Sequence, residues 1–142
     1  MNLEFFFSVA GLLAMAGWLM LLASPLLPKW SDNIAGRFVP ILLSVGYVVL
    51  AVFFSPAADG GFGNLKDLLL LFSQEEAMLA MWIHVLAFDL LIGAWICRTA
   101  RRENLNFWLI VPCLVFTFLF GPAGFLAFSL LRKFAPARAA SK

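Results

Sequence analysis

Asp89 is the residue whose position most demands an explanation. It lies inside the run from Ala77 to Cys97, where every residue except Asp89 and His84 is apolar or glycine. In a helix through hydrocarbon, a charged carboxylate near the centre costs roughly 2.5 to 3.5 kcal/mol on insertion scales. Low-dielectric surroundings favour the uncharged form, so such a carboxyl holds its proton and can deliver it as a general acid. The structural alternative is a hydrogen-bonded carboxyl that ties helices together. His84 stands on the same run. A neutral imidazole takes up a proton, so Asp89 and His84 are the two candidate catalytic residues, acid and base. Packing is the alternative for His84. A haem ligand is disfavoured, because the chain has no second histidine. At about 100° per residue the two side chains point about 140° apart, so their meeting is left open.

The residues around them describe a binding surface. Asp89 shares a helical stripe with Trp82, Leu86, Gly93 and Ile96, and His84 shares another with Phe88, Leu91 and Trp95. Trp82, Phe88, Gly93 and Trp95 are therefore candidate substrate contacts, although Trp82 also suits an interfacial belt. Downstream, Thr117, Phe120, Gly121 and Pro122 are further candidates. Pro122 has no N–H for the Phe118 carbonyl, and irregular backbone inside a membrane persists where protein or a cavity covers it. Phenylalanines facing lipid are the competing reading. Ser44, Tyr47, Thr117 and Ser129 are the other polar groups within reach of a neighbouring helix.

These residues need elements that hold them in oil. Of 142 residues, 63% are hydrophobic and 13% charged, a balance suited to lipid rather than water. The expected fold is all-α, a single transmembrane domain over residues 1–142 with four spans near 5–23, 38–54, 77–97 and 107–131. A short interfacial or re-entrant helix is expected over 64–73, and a polar tail over 135–142. Ser24-Pro25 and Ser55-Pro56 close the first two spans, Glu75, Glu76 and Arg98 to Arg102 flank the third, and a kink is expected near Gly121 in the fourth. The first run has no basic residue ahead of it and no clear cleavage site, and is read as a retained span.

Four spans place five Lys and Arg on each side, which leaves the orientation undecided. A net charge of +2 with scattered basic residues excludes a nucleic-acid face. Cys97 and Cys113 lack metal-ligand spacing and are expected as free thiols; no metal site and no cofactor are expected. Nucleophile elbows, phosphate-binding loops and zinc-protease motifs are missing from the sequence, and a transport pathway would call for more intramembrane polar groups.

The string from Trp82 through His84, Phe88, Asp89 and Leu90 to Gly93 and Trp95 is followed by Thr117, then Gly121-Pro122-Ala123-Gly124. Together with Gly63-Asn64-Leu65 upstream and Pro112, it resembles the abscisic-acid-deficient-four-like family over nearly the whole chain. Plant members are chloroplast membrane proteins required for making neoxanthin from violaxanthin. The resemblance implies a membrane protein of carotenoid or related isoprenoid metabolism, with membrane lipid and a carotenoid or other isoprenoid as partners. A homo-oligomer or a membrane enzyme partner is also open. No transit peptide precedes the first span, so a multi-pass protein of a bacterial cytoplasmic membrane is expected. The leading expectation is an isomerase of an epoxide or polyene, with Asp89 as acid and His84 as base. The alternatives are a non-catalytic carotenoid- or lipid-binding subunit, and a small transporter or assembly subunit.

Overall fold

A computed structural model describes residues 2–54 and 59–134, with Phe54 described in its backbone alone. The Ser55-Pro56 stop and the tail over 135–142 lie outside the described residues. Among those described, the chain forms six helices and no strand. Helix α1 is Leu3–Leu22, with the Asn2 side chain accepting from the Phe5 N–H at 3.2 Å. Helix α2 opens with Pro28–Asn33, passes through a π-helical stretch Ile34–Phe38 and continues as Val39–Phe54. Helix α3 is Leu65–Phe72, α4 Glu75–Arg102, α5 Phe107–Phe120 and α6 Pro122–Phe134.

Three of these, α1, α2 and α4, are long and apolar enough to cross a membrane. The second is longer than the sequence suggests. The expected span begins near residue 38, but a π stretch carries the helix back through Gly36, and Pro28 sits at the first turn, where a missing N–H costs nothing. Gly36 is buried beside the Arg98 side chain, and a β-carbon there would lie 2.6 Å from Nη1.

Contacts along α4 fix the directions. Phe7 stacks on Trp82 and Gly17 lies on Leu90, so α1 runs parallel to α4. Gly36 faces Arg98 while Tyr47 faces His84, so α2 runs antiparallel. The buried core joins Ala10, Ala14, Trp18 and Leu21 of α1 to Leu43 and Leu50 of α2 and to Ile83, Ala87, Leu90 and Ala94 of α4. The outward faces of these helices expose large apolar side chains such as Leu12, Ile41 and Val52. Such a surface belongs in lipid.

The fourth apolar run departs from the single kinked span expected of it. It is a helical hairpin. After Gly121 the chain turns back, and a β-carbon on Gly124 would sit 2.5 Å from the carbonyl oxygen of Cys113 and would overlap Thr117. In one straight helix, residues eleven apart would be about 16 Å apart. Farther along, Trp95 of α4 contacts the rings of both Phe125 and Phe128 at 5.4 Å. The hairpin closes with Arg132, near the end of α6, donating to the carboxylate of Glu103 just before α5, with Nε contacts of 2.9 and 3.0 Å. Gly121 makes the reversal possible, since its φ of +48° lies where other residues are strained. The break was legible in the sequence. Its sharpness was not, because Gly-Pro permits a kink and a reversal alike.

Candidate functional site

At the end of the bundle where α4 begins, α2, α3, α4 and Phe62 of the loop before α3 line a half-open cavity of about 320 Å³. Helix α3 roofs it. Asn64 holds the start of α3 by accepting from the Asp67 N–H at 2.9 Å and donating to the Asp67 carboxylate at 2.7 Å. Gly61 N–H donates to the Asp67 carbonyl, and Gln74 Nε2 donates to the Asp59 carbonyl at 3.0 Å, drawing the preceding loop onto the helix. These bonds bring Phe62, Leu71 and Phe72 over the opening.

The cavity is graded along α4. Gln74 and Glu76 stand at its polar rim, Ala77, Ala80 and Met81 form an apolar wall, and His84 lies deepest on that helix. From Gln74 to His84 is about 15 Å of helix. Across from them α2 supplies Tyr47, Leu50 and Ala51. The Tyr47 and His84 rings are 5.5 Å apart, and Phe88, one turn farther along α4, packs on the imidazole at 4.6 Å. A phenol that donates and an imidazole that accepts therefore share one apolar space.

Asp89 lies elsewhere. It is half-buried, and its carboxylate rests on Gly121, where a β-carbon would come within 2.7 Å of Oδ1. The turn between α5 and α6 thus sits against the middle of α4. His84 faces α2 and Asp89 faces the hairpin, so α4 sends the two candidate catalytic residues to different neighbours. Asp89 is not among the residues that line the His84 cavity.

The other candidates divide in the same way. Phe88 borders His84. Trp82 stacks on Phe7 at 5.9 Å and lines a separate open groove with Asn2, Glu4 and Met78. Gly93 is buried under α1, its missing β-carbon taken up by Leu21 and Trp18 at 2.7 and 2.9 Å, which leaves no room for a ligand. Trp95 packs against α6 of the hairpin, with the Arg132 guanidinium 5.9 Å from its ring. Thr117 is buried and donates to the Cys113 carbonyl at 2.8 Å, so its hydroxyl is satisfied within α5. Phe120 and Pro122 are exposed on either side of Gly121, which forms the turn. Both cysteines are free and buried. Among the described residues no cluster of His, Cys, Asp and Glu is arranged to hold a metal ion.

Tyr47, Gln74 and Glu76 were not foreseen as parts of one site. The span limits held a signal for Tyr47: it lies seven residues before Phe54, and His84 lies seven after Ala77. Counted from the connecting segment of an antiparallel pair, the two reach equal depth.

Of the Trp82-to-Trp95 segment only His84 lines the cavity, while Asp89 of that segment meets the hairpin turn at Gly121. The ABA DEFICIENT 4-like family model matches residues 5–128. The chain belongs to that family. The match runs from the first turns of α1 to Phe128 of α6, so it takes in all three long helices, the cavity and most of the hairpin. No curated protein and no solved structure matches the chain.

Proposed function

We propose that the protein is an intramembrane isomerase of a carotenoid or related isoprenoid, working on the oxygenated end ring in the His84 cavity. The observation that carries this reading is the facing pair of Tyr47 and His84 at the deep end of an apolar space with a polar rim. Family membership supports a carotenoid-related role.

Size decides which part of the ligand enters. A cavity of about 320 Å³ stands at the small end of the range for small-molecule pockets, roughly 300 to 1,000 Å³, and suits a substituted ring. The chain of the ligand then lies along the apolar helix faces in lipid. Gln74 and Glu76 suit a hydroxyl carried on the ring.

Isomerising an epoxide to an unsaturated alcohol balances without redox chemistry. One proton reaches the oxygen as its carbon–oxygen bond breaks, and one leaves a neighbouring carbon as the new double bond forms. In the proposed assignment Tyr47 gives the first proton and His84 takes the second, and proton return between the facing groups resets the site. Asp89 has a positioning role, its carboxyl seated in the hairpin turn.

The test is turnover of a xanthophyll epoxide by the purified protein in vesicles. His84→Gln and Tyr47→Phe are each expected to lower the rate by about 10² to 10⁴, the usual worth of one general acid or base. Asp89→Asn keeps the shape and hydrogen bonding of a protonated carboxyl and is expected to retain most of the rate. A second reading, with Asp89 as the acid, is favoured by its half-exposed position at mid-helix. That reading requires Asp89→Asn to abolish turnover while Tyr47→Phe leaves it intact.

A further inference from the structure

We infer that the His84 cavity opens on the non-cytoplasmic side of the membrane and takes the ring of an isoprenoid held in that leaflet. The ligand half of this inference rests on the function proposed above; the sidedness half stands on charge and chain direction alone.

The hairpin changes the orientation arithmetic. Helices α5 and α6 have 14 and 13 residues, about 20 Å each and short of a hydrocarbon core of about 30 Å. They enter beside Glu103 and return to it, with their turn against Asp89 near the midpoint of α4. The end of α6 is therefore on the same side as the end of α4. Irregular backbone at that depth is tolerated when protein covers it, and Gly121 is buried.

With three crossings and this returning hairpin, one end of the bundle collects nearly all the basic residues. Lys29 and Arg37 stand near the start of α2, Arg98, Arg101 and Arg102 near the end of α4, and Arg132 and Lys133 near the end of α6. The opposite end has Lys66 alone among the described Lys and Arg. Arg138 and Lys142 lie outside the described residues and are not counted. Seven against one replaces the five-to-five tie of a four-span chain, and short segments rich in Lys and Arg stay in the cytoplasm. The two acids at the basic end are both engaged, Asp32 with Arg101 at 2.5 Å and Glu103 with Arg132. The cavity lies at the other end, where Glu4, Asp59, Asp67, Glu75 and Glu76 gather and where α3 lays exposed Leu65, Leu69 and Leu70 outward. A ligand ring anchored by its oxygen at that interface meets Gln74 and Glu76 first and His84 deeper in.

The test is labelling of intact cells with a membrane-impermeant sulfonated maleimide, in chains with one added cysteine. The two buried native cysteines give the unsubstituted chain as the blank. Gly63→Cys is expected to label in intact cells, whereas Arg102→Cys and Lys133→Cys label only after permeabilisation. Lys133→Cys labelling together with Gly63→Cys would restore a fourth crossing, and the reverse pattern would invert the protein; either overturns the inference. For the ligand half, Phe62→Cys at the cavity mouth is labelled in hosts with and without carotenoids. Labelling several-fold slower in the carotenoid-making host is expected. Equal rates, with the sidedness pattern intact, would remove the ligand and the proposed function while leaving the orientation standing.

Discussion

The imidazole of His84 has two aromatic neighbours, Tyr47 at 5.5 Å and Phe88 at 4.6 Å, and they predict different things of substitution. Phe88 is more than half exposed and covers part of the imidazole. Phe88→Leu keeps an apolar cover and is expected to lower turnover only several-fold, mainly through weaker binding of the ligand, read as a raised apparent KM. Tyr47→Phe keeps the ring and removes one proton donor, so it should lower kcat with little change in binding. Asp89 and Gly121 form the other residue-scale unit. A methyl group on Gly121 meets both the strained φ and the Asp89 carboxylate, so Gly121→Ala is expected to cost about 1 to 3 kcal/mol of hairpin stability. Thermal unfolding in detergent would show it as a lowered Tm, and combining it with Asp89→Ala should recover part of the loss. The sequence identified Asp89, His84 and Gly121 because each breaks an apolar pattern. It could not pair them, since a 140° separation on one helix says which faces differ and nothing of what stands opposite each face.

Among the elements, α4 is the one every other part of the site depends on, and its limits were readable from Glu75 and Glu76 at one end and the arginines at the other. The π stretch in α2 was not readable, because Gly36 looks like a boundary until the Arg98 side chain is seen to occupy the space beside it. The hairpin was half readable: Gly121-Pro122 signals a break, while the return path depends on Gly124 nesting against Thr117 and Cys113 across eleven residues or fewer. Gly124→Val is accordingly expected to separate α5 from α6, detected as faster proteolysis at the end of α6. The Glu103–Arg132 pair adds a pH dependence to the same element. The hydrogen bond from Arg132 holds the Glu103 carboxyl below its usual range. A depressed value means the contribution is present at neutral pH and is lost as pH falls through that lowered value. Proteolysis at the end of α6 by an acid-active protease should therefore rise in strongly acidic buffer. Glu103→Gln should show the raised rate at every pH, and an unchanged pH profile in that variant would show that the pair does not hold the hairpin.

At the scale of the whole molecule, the bundle has a basic end and an acidic end, with the cavity confined to the acidic one and the buried turn at Asp89 between them. Composition established an all-helical chain for lipid, and the Trp82-to-Trp95 string established the family, as the match over residues 5–128 shows. Orientation was illegible because it depends on whether the last apolar run crosses, and about 25 apolar residues are long enough either to span once or to enter and return. The cavity depends on that same three-dimensional arrangement: α3 is too short to cross and gains a role only by roofing the space between α2 and α4.

The proposed function requires a ligand ring in the cavity between Tyr47 and His84, and a side chain that blocks the cavity excludes that ring. Ala77 lines the cavity wall next to the rim and is half-buried, so Ala77→Phe puts a ring in the approach to His84. Protein purified from a carotenoid-producing host would be analysed for bound pigment per chain, with helix content checked by circular dichroism. The prediction is pigment near one per chain in the unaltered protein and a loss of tenfold or more in Ala77→Phe, with helix content the same. Equal pigment in both proteins would contradict the claim.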